Sequence, residues 1–135
     1  MYSVTVNVTF TGPTTPAIRQ AVGRGLVAGA QIHRNESIRL ILQGPKTGRM
    51  YGRHVASAPG EAPATDHGRL ANSILVRHTP GTLTASVVCT ASYGRSLELG
   101  TPRIAPRPFL RPPLATKRAE IVAAINRPVA KLFGA

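Results

Sequence analysis

The chain has 135 residues, of which 42% are apolar, enough for one domain around one core and little more. Aromatic residues are only 4%, Trp is absent, and the single cysteine excludes an internal disulfide or a cysteine-rich metal site. Seventeen Lys and Arg against five Asp and Glu give a net charge of +12, and this dispersed excess points to acidic surroundings more than to one sequence-reading site.

Tyr2 to Phe10 alternates, with Tyr2, Val4, Val6, Val8 and Phe10 on one face, and reads as a half-buried strand. Its start shows no basic region followed by an apolar stretch, and no apolar run approaches the roughly 20 residues of a membrane span, so neither cleaved export nor a membrane partner is expected. Gly12-Pro13 ends the strand. Thr14 or Thr15 then caps a helix over about Pro16 to Gln43, stopped by Gly44-Pro45. Gly23, Gly25 and Gly29 weaken that helix, and such glycines usually admit another backbone at close range.

Residues 44–66 change character. The stretch from Gly44 to His54 is basic and glycine-punctuated, Ala58 to Ala64 is turn-rich, and together they read as a projecting arm or hairpin. Asp66 can cap a short turn through Asn72, after which Ser73–His78 and Thr82–Thr90 form a hairpin around Thr79-Pro80-Gly81. Cys89, in the second of these strands, is expected to be a buried thiol. A short helix from Tyr93 to Leu99 precedes a Pro-rich extended segment over 101–113. Pro112-Pro113 opens a last helix that Pro128 should end, leaving 128–135 as a tail. The outline is a single α+β domain over 1–135: a small antiparallel sheet packed against one long and one or two shorter helices, with a projecting basic arm.

Catalysis finds little footing in these residues. Glu36, Glu61, Asp66, Glu98 and Glu120 are scattered, and His33, His54, His67 and His78 include no helical pair, so neither an enzyme nor a metal or other cofactor is expected. Lys46-Thr47-Gly48 carries the residues of a phosphate loop in the wrong order. The basic residues, fourteen Arg and three Lys, never form a run.

Several blocks stand out in order. They are Gly44–Tyr51, Ala56–Ala64, Asp66-His67-Gly68-Arg69-Leu70 with Ser73-Ile74, Tyr93-Gly94 with Leu97-Glu98 and Gly100-Thr101, and Arg107-Pro108-Phe109-Leu110-Arg111-Pro112-Pro113-Leu114. The ordered set, over about Gln43 to Ile125, resembles the neck and tail-completion family of lambdoid-type siphophages. His67 stands where that pattern has Thr, and Gly94 and Pro113 stand where it has Ala.

The resemblance implies a structural virion protein, assembled in the host cytoplasm, that forms a ring, most simply a hexamer, at the head–tail junction. Such a ring completes the tail and meets connector and tail-tube proteins around a channel for double-stranded DNA, contacted without regard to sequence. Lys46, Arg49 and Arg53 are the candidates for a channel-facing or partner-facing arm. Phe109, Leu110, Arg107 and Arg111 are the candidates for an intersubunit contact, with stapling of the Pro-rich segment to its own sheet as the alternative. The rival function is a small basic nucleic-acid-binding protein, which the charge suits but which lacks an aromatic stacking platform.

Overall fold

The structure is a computed structural model, and it describes residues 2–8, 15–51, 53–64 and 68–134. The strand end at Phe10, the Gly12-Pro13 stop, the Thr14 cap, the Asp66 cap and His67 lie outside the described residues. Among the described residues ten elements follow one another: β1 (Tyr2–Asn7), α1 (Pro16–Gln43), β2 (Met50–Tyr51), β3 (His54–Val55), α2 (Arg69–Asn72), β4 (Ile74–Arg77), β5 (Thr84–Cys89), α3 (Gly94–Leu99), α4 (Arg111–Thr116) and α5 (Arg118–Leu132). This is the expected α+β arrangement, an antiparallel sheet against a long helix and shorter ones.

The sheet has the order β1-β5-β4, both pairs antiparallel. Alternation sets its two faces. Val4 and Val76 flank Val87 on the inner face, while Ser3 and Leu75 flank Val88 on the outer one. On that outer face the Thr5 and Ser86 hydroxyls hydrogen-bond at 2.8 Å. Cys89 at the end of β5 is fully buried, as expected of a structural thiol.

α1 lies across the inner face. Thr15 caps it, its hydroxyl accepting from the Ile18 N–H at 3.2 Å, and Pro16 occupies the first turn. Val22 and Leu26 pack on Ala85, and Ile41 joins Leu70, Ile74, Val87, Phe109 and Leu110 in a second cluster. The glycine stripe has the expected use. A Cβ at Gly25 would stand 2.8 Å from the Cα and 2.9 Å from the carbonyl carbon of Ile125, and one at Gly29 would press on Ile121 and Ile125. As the α1 number rises the α5 number falls, so the two helices run antiparallel and nearly backbone to backbone.

Two expectations at the C-terminal end need correction. The last helix is broken at Lys117 (φ −109°, ψ 13°), giving α4 and α5 in place of one helix. Pro128 does not end α5, which runs on to Leu132. An interior proline removes one backbone hydrogen bond and costs about 3 kcal/mol. Here Ile125 and Val129, on either side of it, both pack against the Val22–Leu26 cluster, and that burial holds the helix through the proline.

The arm is also less free than expected. Within 44–64, β2 and β3 do form a small hairpin, closed by Gly48 N–H to the Ala56 carbonyl and Ala56 N–H to the Arg49 carbonyl, both 2.9 Å. Its return limb is fastened to the body: Ser57, Ala62 and Pro63 are buried, and the Gly60 N–H donates to the Pro106 carbonyl at 3.0 Å. The projecting part shrinks to the hairpin tip, where Met50 is 63% exposed.

Candidate functional surfaces

The centre of the molecule is a buried polar knot. Glu98 ends α3 only 3% exposed, and its carboxylate accepts three backbone N–H groups. One oxygen takes Phe109 at 2.6 Å and Leu110 at 2.9 Å, and the other takes Arg111 at 2.8 Å. Leu110 is the N-cap and Arg111 the first residue of α4, so their N–H groups are donors that the helix start leaves without helical partners. The next two residues, Pro112 and Pro113, have no N–H to satisfy, so the first turn of α4 is fully accounted for. Pro113 therefore suits this position, as its place in the first turn implied.

Against the same turn lies His33, 2% exposed in the middle of α1. Its Nε2 is 2.6 Å from the Leu110 carbonyl, which can only accept, so Nε2 carries the proton. Burial lowers the His33 pKa below its ordinary value, with the Leu110 carbonyl and the Glu98 charge opposing that shift. One turn on, the Ser37 hydroxyl is buried without a partner among the described residues. A void of about 10 Å³ beside His33 is lined mainly by aliphatic side chains. The knot is closed to solvent, and what it does is hold a loop, a helix start and a long helix together.

Phe109 and Leu110 have no exposed surface at all. The expected intersubunit role is therefore corrected: these side chains staple the Pro-rich segment to the chain's own core. Arg107 is half-buried, its backbone N–H on the Leu97 carbonyl at 2.6 Å and its Nε reaching the Ser57 carbonyl at 3.4 Å, so it ties the arm's return limb to the segment. Arg111 remains exposed, with Nε donating to the Tyr2 hydroxyl at 3.1 Å.

The three arm cations separate. The Lys46 ammonium caps the end of α1, donating to the Leu40 carbonyl at 2.9 Å, and burial lowers its pKa. It serves the fold. Arg49 and Arg53 are exposed on the hairpin. Glu61 closes the base of the hairpin, accepting from the Thr47 and Ala58 N–H groups at 2.8 Å each, and those bonds hold its pKa below the ordinary carboxylate range.

A basic surface that the sequence did not disclose lies at the opposite end of α1. Because α1 and α5 are antiparallel, Arg24 of the first meets Arg127 and Lys131 of the second around a groove of about 380 Å³. Arg24 also borders a neighbouring groove of about 520 Å³, shared with Arg19, Val27, His78 and Pro80. Arg19, Arg24, Arg127 and Lys131 are all exposed. Arg19 gives one N–H to the Gly81 carbonyl at 3.2 Å, and His78 uses Nδ1 on the Thr84 carbonyl at 2.8 Å.

No described carboxylate lies here. Glu36 is bound by Arg39 at 2.6 Å, Glu120 by Lys117 at 3.3 Å, and Glu61 and Glu98 are held by backbone N–H groups. The signal available in sequence was the absence of acids from 16–30 and from 121–134, but only the helix pairing makes one surface of the two stretches.

Among the described residues, no three His, Cys, Asp or Glu side chains could hold a metal ion, and no helix is long and apolar enough to cross a membrane. No family model, curated protein or solved structure matches the chain.

Proposed function

We propose that this chain is a ring-forming virion subunit of the head–tail junction of a tailed phage, completing the tail and joining it to the head connector around a DNA channel. The observation that carries the reading is the Glu98 knot. Two blocks of the neck-family resemblance, Tyr93–Thr101 and Arg107–Leu114, meet through the Glu98 carboxylate and the Phe109, Leu110 and Arg111 amides. Residues that resemble the family's separate blocks thus form one physical unit, which gives the ordered pattern a cause.

The distribution of exposed residues agrees with a subunit that has neighbours on more than one side. α1 spans 28 residues, about 42 Å of helix. Beyond its C-terminal end lies the hairpin with exposed Met50; at its N-terminal end lie exposed Leu132 and Phe133 beside the basic surface. Charge adds a condition. Six copies at +12 would carry 6 × 12 = +72, and neighbours within a Debye length of about 10 Å repel. Such a ring needs acidic partner rings or DNA to offset the repulsion.

Deleting the gene from its phage tests the reading. Filled heads and separate tails, rejoined on complementation, are expected; normal joined particles without the protein would refute it. A free nucleic-acid-binding protein is the second reading, favoured by the basic surface, and it predicts a deletion that leaves particle joining untouched.

A further inference from the structure

Among the described residues, the basic surface gathers four exposed cations of which only Arg19 has a printed contact within the fold. Lys46 caps a helix, Arg39 and Lys117 hold carboxylates, and Arg107 ties two loops. Among the described residues, Arg24, Arg127 and Lys131 have no carboxylate partner, and Arg19 spends only one N–H on the backbone. Arg127 and Lys131 are four residues apart on α5, so both project from one face, about 6 Å apart along the axis. Holding these cations together costs electrostatic free energy that no carboxylate among the described residues offsets.

We propose that this surface, formed by Arg19, Arg24, Arg127 and Lys131, binds the phosphate backbone of double-stranded DNA without regard to sequence. The proposal takes its place in the particle from the ring reading, although the binding itself does not require a ring. A duplex presents one charge per about 1.7 Å, so it can meet all four cations at once, whereas a protein partner must supply each carboxylate separately. Three of the four are Arg, whose planar fork matches phosphate. The larger groove is open, with Val27, Ala28 and Pro80 beside Arg19, Gln20, Arg24 and His78, and it is the cations, suited to phosphate, that dominate its polar lining. DNA contact therefore moves from the hairpin arm to the opposite end of α1.

The test uses the full chain and a fluorescein-labelled duplex of about two helical turns, with anisotropy measured over a series of salt concentrations. Arg24→Gln/Arg127→Gln is compared with Arg53→Gln/Arg95→Gln, which removes the same charge from exposed positions elsewhere. All four positions are exposed, and circular dichroism verifies the fold of each variant. The first pair should lower affinity at least tenfold at low salt and reduce the slope of log K against log salt by about 1.8, equally for AT-rich and GC-rich duplexes. The second pair should change affinity less than threefold.

Equal losses from both pairs would reduce the effect to net charge and overturn the proposal. Tighter binding of polyglutamate than of the duplex would overturn it in favour of an acidic protein partner. Duplex binding that behaves as expected, by a protein absent from particles, would leave this surface standing and remove the ring reading.

Discussion

Replacing Glu98 by Gln changes no volume and removes only the feature that matters at the knot, an acceptor on both sides of the side chain. In the folded chain one oxygen serves Phe109 and Leu110 and the other serves Arg111. The amide of Gln can keep the first pair but must then turn its NH₂ toward the Arg111 N–H, donor against donor. Two charge-assisted bonds become neutral ones, losing about 1 kcal/mol each, and one part-buried N–H is orphaned at about 1–3 kcal/mol. The sum is about 3–5 kcal/mol, against a total stability of about 5–15 kcal/mol. At about 3 °C per kcal/mol for a chain of this size, the midpoint of thermal unfolding should fall by about 10–15 °C. Glu120→Gln is the control, since Glu120 is exposed and should change stability by less than about 0.5 kcal/mol. Hydrogen exchange supplies a local readout, with the amides of Phe109, Leu110 and Arg111 losing protection first. Unfolding of Glu98→Gln within about 2 °C of the parent would refute the knot as an energetic centre.

The remaining predictions concern packing and protonation. Gly25→Ala should destabilise by about 2 kcal/mol or more in urea unfolding, because its new methyl meets the Ile125 backbone; Gly29→Ala, meeting the Ile121 and Ile125 side chains first and the Ile121 carbonyl only at 3.3 Å, should cost less than Gly25→Ala, about 1 kcal/mol. Gly94→Ala should be costly because the added methyl collides with the Cys89 thiol, and combining it with Cys89→Ala should recover about 1 kcal/mol or more in a double-mutant cycle. The folded-state pKa of His33 lies below its unfolded value, so as pH falls through the ordinary imidazole range the unfolded chain takes up a proton that the folded chain does not. Stability should therefore drop between about pH 7 and pH 5, more steeply in the parent than in His33→Gln, measured by urea midpoint at each pH.

Local signals in the sequence were read well where they involve one stretch of chain. Pro16 and Gly44-Pro45 bounded α1, and the Thr79-Pro80-Gly81 turn placed a hairpin between β4 and β5. Reading failed where a distant contact decides. Pro128 stays helical because Ile125 and Val129 pack on α1, which no local propensity contains. The arm is fastened by Pro106 and by burial of Ala62, and Lys46 is drawn back to the end of its own preceding helix. Phe109 looked available among prolines because exposure cannot be read from residue type. Glu98 stood out in the sequence only as part of the Tyr93–Thr101 block, and its partners are backbone amides, which leave no trace in side-chain spacing. The basic surface was hidden for a related reason: Arg24 and Arg127 become neighbours only through the glycine-lined contact of α1 and α5.

One departure from the neck-family pattern gains a physical cause. Gly94 stands where that pattern has Ala, and here a methyl would strike the Cys89 sulfur.

The claim that this chain is a head–tail junction subunit is tested most directly by locating it in the particle. Particles purified from the phage that carries the gene would be labelled with gold-conjugated antibody against the chain and imaged by electron microscopy, with copy number taken from quantitative mass spectrometry. The account predicts label confined to the head–tail junction and a copy number of one ring per particle, near six. Absence of the protein from purified particles, or label spread along the tail tube or over the capsid, would contradict it.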